Sequence, residues 1–97
     1  MFAPNPSAPV HSYSVTAAAE ASVMPRILDL FAKRGLMPFY LHAAIGDDER
    51  LNVDLRVCGL EHNSAHHVAR CLRRLVAVER VLMAGEADAA AYAEAAQ

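Results

Sequence analysis

The fold is constrained most by an amphipathic helix, which we predict at residues 22–34. Apolar side chains recur there at the i, i+3, i+4, i+7 spacing that occupies one helix face; they are Val23, Met24, Ile27, Leu28, Leu30 and Phe31. Ser22 is the predicted N-cap residue, and Gly35 is the predicted left-handed residue that ends the helix. A helix with one apolar face needs a sheet to pack against.

The flanking segments supply that sheet, because apolar and polar residues alternate along them with the period of a strand. Strands are predicted at residues 11–17, 37–45, 51–58 and 77–83. The polar segment GDDE at residues 46–49 is of hairpin length and predicts a turn between the second and third strands.

A second helix is predicted from a cap at Asn63 or Ser64 through about Leu75. Its apolar stripe consists of Ala65, Val68, Ala69, Leu72, Leu75 and Val76. Since this helix lies between the third and fourth strands, the element order is strand, helix, strand, strand, helix, strand.

That order predicts a ferredoxin-like α+β fold, βαββαβ, with one antiparallel sheet and both helices on one face. The first and third strands should be central and the second and fourth should be edges. Pro38, near the start of the second strand, is consistent with an edge, because proline cannot donate to a strand ladder. The opposite face should be polar, and it would carry Ser12, Ser14, Thr16, Asn52, Asp54 and Arg56.

The two ends of the chain lack these patterns. Residues 1–10 contain three prolines and are predicted to form a disordered leader. The folded domain is predicted at residues 11–84. Residues 85–97 are rich in alanine, and we expect a frayed helix or disorder there, since a short isolated helix is marginal in water.

Composition narrows the classes of partner and the cellular location to be expected. The net charge of −2 and the pI of about 6.2 argue against nucleic acid or an anionic membrane as a partner. No apolar run approaches the roughly 20 residues of a membrane span, and the N-terminus has no secretory signal pattern. With only two cysteines, the chain is expected to be cytoplasmic with reduced thiols.

The reactive side chains do not predict catalysis or a bound cofactor. His62 and His66 are four residues apart and could share a helix face, but His62 is predicted to precede the helix and no third metal ligand is evident. His11 and His42 are predicted to be surface or interface residues, and Cys71 an inert thiol. The sequence contains neither a dinucleotide fingerprint nor a phosphate loop.

Two segments carry a resemblance to a known family. They are LFAKRG at residues 30–35 and LRRLVAV at residues 72–78. With the strands around them, they resemble an ACT domain, and most of all the small subunit of acetolactate (acetohydroxyacid) synthase of the short isozyme II type. In that family the second segment commonly has the form QLNKLVDV, so Cys71 and Arg73 stand where the family has Gln and Asn.

The resemblance implies a non-catalytic accessory subunit in branched-chain amino acid biosynthesis. Its catalytic subunit, not this chain, would carry thiamine diphosphate, magnesium and FAD. The chain would form a homodimer, pair with that catalytic subunit, or do both. The resemblance places the partner interface at Arg73, Arg74 and Val78.

The resemblance also bears on regulation. In sensing members, a Gly at the start of the first helix and an Asn after its end contact an amino acid effector, but here Ser22 and Met37 occupy those positions. We therefore predict a degenerate effector site and insensitivity to valine. The alternative is a free-standing ACT-like sensor that binds an amino acid or a metal ion and signals through a change in its dimer.

Overall fold

The six predicted elements are present in the computed structural model, which describes residues 9–85. The elements are β1 (Val10–Ala18), α1 (Val23–Ala32), β2 (Tyr40–Ile45), β3 (Arg50–Cys58), α2 (His62–Arg73) and β4 (Val78–Ala84). This order confirms the βαββαβ prediction. The predicted leader and Ala-rich tail lie outside the described residues except for Pro9, Val10 and Gly85, and Val10 is the first residue of β1.

The sheet has the predicted topology. Its strand order is β2-β3-β1-β4, and all three neighbouring pairs are antiparallel. β1 and β3 are therefore central, and β2 and β4 are edges. The register pairs Ser12 with Arg56, Ser14 with Asp54, and Thr16 with Asn52, so these polar residues share one face of the sheet, as predicted.

The core lies between the other face of the sheet and the two helices. The alternating apolar residues of β1 and β3 are buried against both helices. The helices contribute Val23, Ile27, Leu30, Phe31, Ala65, Val68, Ala69 and Leu72. These residues belong to the predicted stripes, so helical periodicity located the part of the core that the helices contribute.

Tyr13 joins β1 to α2 at the centre of this core. Its side chain is fully buried, and its hydroxyl donates a hydrogen bond to the Ala65 carbonyl oxygen at 2.7 Å. The ring meets Phe31 edge to face, with the centroids 5.7 Å apart. Burial raises the pKa of Tyr13 to about 12, because the charged phenolate would lose its hydration.

Gly35 is left-handed after α1, as predicted, although the helix spans Val23–Ala32 instead of residues 22–34 and its predicted N-terminal cap does not form. Gly35 has a φ of +67°, and the N–H groups of Leu36 and Gly35 donate to the carbonyls of Phe31 and Ala32 at 2.9 and 3.0 Å, the two bonds of a Schellman motif. Ser22 occupies the predicted N-cap position but does not cap the helix. Its backbone is already helical, and its side chain makes no capping hydrogen bond.

The second helix begins earlier and ends earlier than predicted. It starts at His62, with Glu61 in extended conformation before it, so Asn63 and Ser64 lie in the first turn and neither caps the helix. Since α2 ends at Arg73, the turn into β4 leaves the helical period, and Val76 is 97% exposed instead of buried.

The edge strand β2 differs most from its prediction. It begins at Tyr40, so Pro38 precedes the strand. Its apolar residues Leu41, Ala43 and Ile45 pair with buried residues of β3 and share their face, yet all three are exposed. The helices therefore leave β2 uncovered. Within residues 9–85, neither helix is long and apolar enough to cross a membrane.

Candidate functional site

The outer edge of β2 is an open strand edge with an apolar character. Among residues 9–85, β3 is the only strand paired with β2. Residues 40–45 include no Lys, Arg, Asp, Glu or Pro, which are the residues that usually protect an edge strand from pairing. Leu41 and Ile45 are 45% and 60% exposed. We define the β2 edge as residues 40–45; it can accept another strand.

The other edge strand, β4, carries charged residues and a side-chain hydrogen bond from its own chain. The Nη2 atom of Arg73 donates to the Val81 carbonyl oxygen at 2.9 Å, so the end of α2 is bonded to this strand. Glu79 forms an ion pair with Arg50 at 3.0 Å, which ties β4 to β3 across β1. A partner strand therefore meets charged side chains and bonded groups at β4.

The three predicted partner residues have different environments. Arg73 bonds within its own chain, as described above. Val78 is buried in the core at 9% exposure. Arg74 is exposed at the end of α2. The partner interface remains a prediction, and of the three residues Arg74 is the one whose position suits it best.

The two predicted effector residues lie at opposite ends of α1. Ser22 is exposed just before the helix, and Met37 is 65% exposed in the loop that follows it. The ten residues of α1 rise about 15 Å. One amino acid ligand cannot contact both ends within one chain, so an effector site that uses both residues would need a second copy.

A polar cluster between the helices was not predicted. Arg34 donates from Nη1 to the Leu30 carbonyl oxygen at 3.0 Å and from Nη2 to Cys71 Sγ at 3.2 Å. His67 Nε2 lies 3.6 Å from the same sulfur. The i, i+4 spacing of His67 and Cys71 is a sequence signal that these two side chains are neighbours on one helix face. The contact of Arg34 with Cys71 depends on how α1 packs against α2, which the sequence pattern does not give.

The histidines also depart from prediction. His62 is inside α2, and its Nε2 atom lies 3.0 Å from Nε2 of His66. His11, predicted at the surface or an interface, is 4% exposed, and its ring centroid is 6.4 Å from that of His62. Among residues 9–85, no group of three or more His, Cys, Asp or Glu side chains is arranged to hold a metal ion.

Comparison with known proteins gives the family. A family model described as an ACT-like domain matches residues 6–90. No curated protein sequence matches the chain. These comparisons support the ACT-like resemblance, and they offer no support for the acetolactate synthase small subunit in particular.

Solved structures agree with that assignment. The crystal structure of the ACT domain of GTP pyrophosphokinase from Chlorobium tepidum has a TM-score of 0.67 and 11% identity, over 77% of this chain and 96% of that domain. The solution structure of the C-terminal domain of MgtC from Mycobacterium tuberculosis has a TM-score of 0.69 and 10% identity, over 86% of this chain and 93% of that one. At these identities the likeness shows the fold. The match to the family model shows the family: this chain belongs to the ACT-like domain family.

Proposed function

We propose that this ACT-like domain is a non-catalytic regulatory module that pairs with a second copy of itself along the β2 edge. The observation that carries the proposal is the exposed apolar strand with no charged residue among residues 40–45. The family membership supports a regulatory role. A structural relative, the ACT domain of GTP pyrophosphokinase, is likewise a domain associated with an enzyme.

A second copy fits the β2 edge for reasons of symmetry. A strand that pairs with its own copy about a two-fold axis does so antiparallel, which continues the antiparallel pattern of the sheet. Leu41 and Ile45 lie on the face that carries the helices. In such a pair they would be covered by the same residues of the partner, which removes apolar surface from water.

The partner enzyme we propose is the catalytic subunit of acetolactate synthase, on the strength of the two segments LFAKRG and LRRLVAV. In this proposal the chain stabilises a competent conformation of that subunit, a population shift with no chemistry of its own. The absence of the family's Gly and Asn at Ser22 and Met37 supports insensitivity to valine.

The dimer is tested by measuring molar mass in solution. We expect the double variant Leu41→Lys, Ile45→Lys to be a folded monomer, since two added charges oppose pairing at an edge. The control is Leu82→Lys, because Leu82 is also 55% exposed but lies on β4. Dimers of unchanged stability in the β2 double variant would contradict pairing through this edge.

The accessory role is tested by measuring acetolactate formation by the catalytic subunit from the same organism, with and without this chain. We expect a several-fold rise when this chain is added, and no effect of valine on that rise. If there is neither a rise nor co-purification, acetolactate synthase is the wrong partner, and a free-standing sensor becomes the better function. A thermal-shift screen with amino acids would then follow, because a ligand at 100 times its Kd adds about 2.7 kcal/mol to the free energy of unfolding.

A further inference from the structure

The first two turns of α2 hold two exposed imidazoles whose Nε2 atoms lie within hydrogen-bond distance of each other. His62 and His66 lie four residues apart on the helix, and their rings are nearly perpendicular, at 78°, with centroids 4.4 Å apart. Their Nε2 atoms are 3.0 Å apart. The two nitrogens face each other across the distance of a single hydrogen bond, which one ring donates and the other accepts.

This separation is also that of two cis ligands on a metal ion. Imidazole nitrogens bind at about 2.0–2.1 Å. Two nitrogens at that distance lie about 2.9 Å apart if the angle at the metal is 90°, and about 3.3 Å apart if it is tetrahedral. The observed separation of 3.0 Å is close to both values, so a small rotation of the two rings would let them bind one ion. Among the divalent ions that imidazole binds, Cu²⁺ and Ni²⁺ rank highest in the general order of affinity for nitrogen ligands.

We infer that His62 and His66 form a two-point chelate for a divalent transition-metal ion, with Cu²⁺ or Ni²⁺ the best fit. The inference does not depend on the proposed function. Both side chains are exposed, so an ion can reach them without any opening of the core. Residues 9–85 offer no group of three donors, so within this part of the chain the remaining coordination positions are open to water or to an external ligand.

The surroundings of the pair are consistent with a cation. Glu61, exposed in the position before α2, adds a negative charge beside His62, which offsets the positive end of the helix dipole. His62 and Glu61 line a cavity of about 250 Å³ together with Pro9, His11, Leu60 and Gly85. An external ligand bound to the ion therefore has a recess next to it.

The test is a calorimetric titration with CuCl₂ and with NiCl₂ of the full chain carrying Cys58→Ser and Cys71→Ser, the reference called wild type below, because free thiols would themselves bind these ions and reduce Cu²⁺. We expect one site per chain, with affinity falling from Cu²⁺ to Ni²⁺ and Zn²⁺, in the order of nitrogen ligands. His66→Ala should weaken Cu²⁺ and Ni²⁺ binding by at least about tenfold. Mutation of a residue that only hydrogen-bonds a metal ligand already costs about tenfold or more in metal affinity, and His66 would be a ligand itself. Copper electron paramagnetic resonance should show nitrogen ligands in the wild type and fewer in His66→Ala.

The matched control is His67→Ala. His67 is the next residue on the same helix and is also exposed, but its ring lies against Cys71 and not against His62. We expect His67→Ala to bind the metal as the wild type does. Equal affinity of His66→Ala and wild type, or equal losses in the two variants, would overturn the chelate. Circular dichroism checks that both variants fold, and neither result depends on acetolactate synthase.

Discussion

The two edge strands of the sheet have similar positions and opposite surroundings. β4 packs against α2, and its Val81 carbonyl oxygen is bonded to Arg73. Within residues 9–85, no helix covers β2, and its apolar residues are exposed although their partners on β3 are buried. An edge position does not by itself expose the apolar face of a strand; that face is exposed only where the helices do not extend over it.

This contrast explains how one small domain can be both stable and available to a partner. The part of the domain built from β1, β3, β4 and the two helices contains the buried core side chains, including Tyr13, Phe31 and Leu72. The β2 edge adds a strand to the ladder but contributes little to that core. A substitution on the covered side should therefore change folding, while a substitution at the β2 edge should change association.

The largest effect should come from Leu72→Ala, which removes a fully buried side chain of α2. We expect a loss of about 2–5 kcal/mol in the free energy of unfolding, since a cavity is left. Ile45→Ala at the β2 edge is the comparison, and it should change that free energy by at most about 0.5 kcal/mol. Urea denaturation at protein concentrations that favour the monomer measures both, and similar losses would mean that β2 is covered after all.

An intermediate effect should appear at alkaline pH through Tyr13. Its pKa is about 12 in the folded protein and about 10 when unfolded, so the folded state holds the proton more tightly. That stabilisation is complete below pH 10 and is lost as pH rises from 10 to 12, by about 2–3 kcal/mol in all.

Urea midpoints measured between pH 9 and pH 12 test this. In Tyr13→Phe the urea midpoint should fall much less over this pH range, because the titrating hydroxyl is gone. Tyr40→Phe is the control, since Tyr40 lies at the start of β2 with its ring under Arg56, and it should keep the decline. An equally steep decline in Tyr13→Phe would assign the alkaline loss to other groups.

The smallest effect should separate the two arginines at the end of α2. Arg73→Ala removes the hydrogen bond to Val81 and should cost about 0.5–1.5 kcal/mol. Arg74→Ala, at an exposed neighbouring position, should leave thermal unfolding nearly unchanged. Co-purification with a catalytic subunit should give the reverse order, with Arg74→Glu reducing the recovered complex more than Arg73→Ala does. A larger reduction with Arg73→Ala would place Arg73 in the partner interface.

Much of the fold was predictable because it depends on local periodicity. The alternation in β3, at Leu51, Val53, Leu55 and Val57, and the stripe of α1 each identify one element and its buried face. The turn glycine Gly35 has the left-handed φ that its place after the stripe predicts. Element order then leaves few possible topologies, and the observed one is among them.

The errors fall where a residue's role depends on packing between elements. Ser22 has the right residue type for an N-cap but a helical backbone. Val76 continues the period of α2 beyond the point where the chain turns toward β4. The Arg34, His67 and Cys71 cluster requires the end of α1 to meet α2, and no pattern within either helix predicts which side chains face each other there.

The sequence by itself thus determined the elements, their order, the central and edge strands, and the family to which the chain belongs. Only the tertiary structure decided that β2 lies beyond the helices, that Arg73 bonds to β4, and that His62 and His66 converge at 3.0 Å. Periodicity reports which face of a strand or helix is apolar. Whether that face is covered depends on where the other elements end, which is a property of the assembled layers.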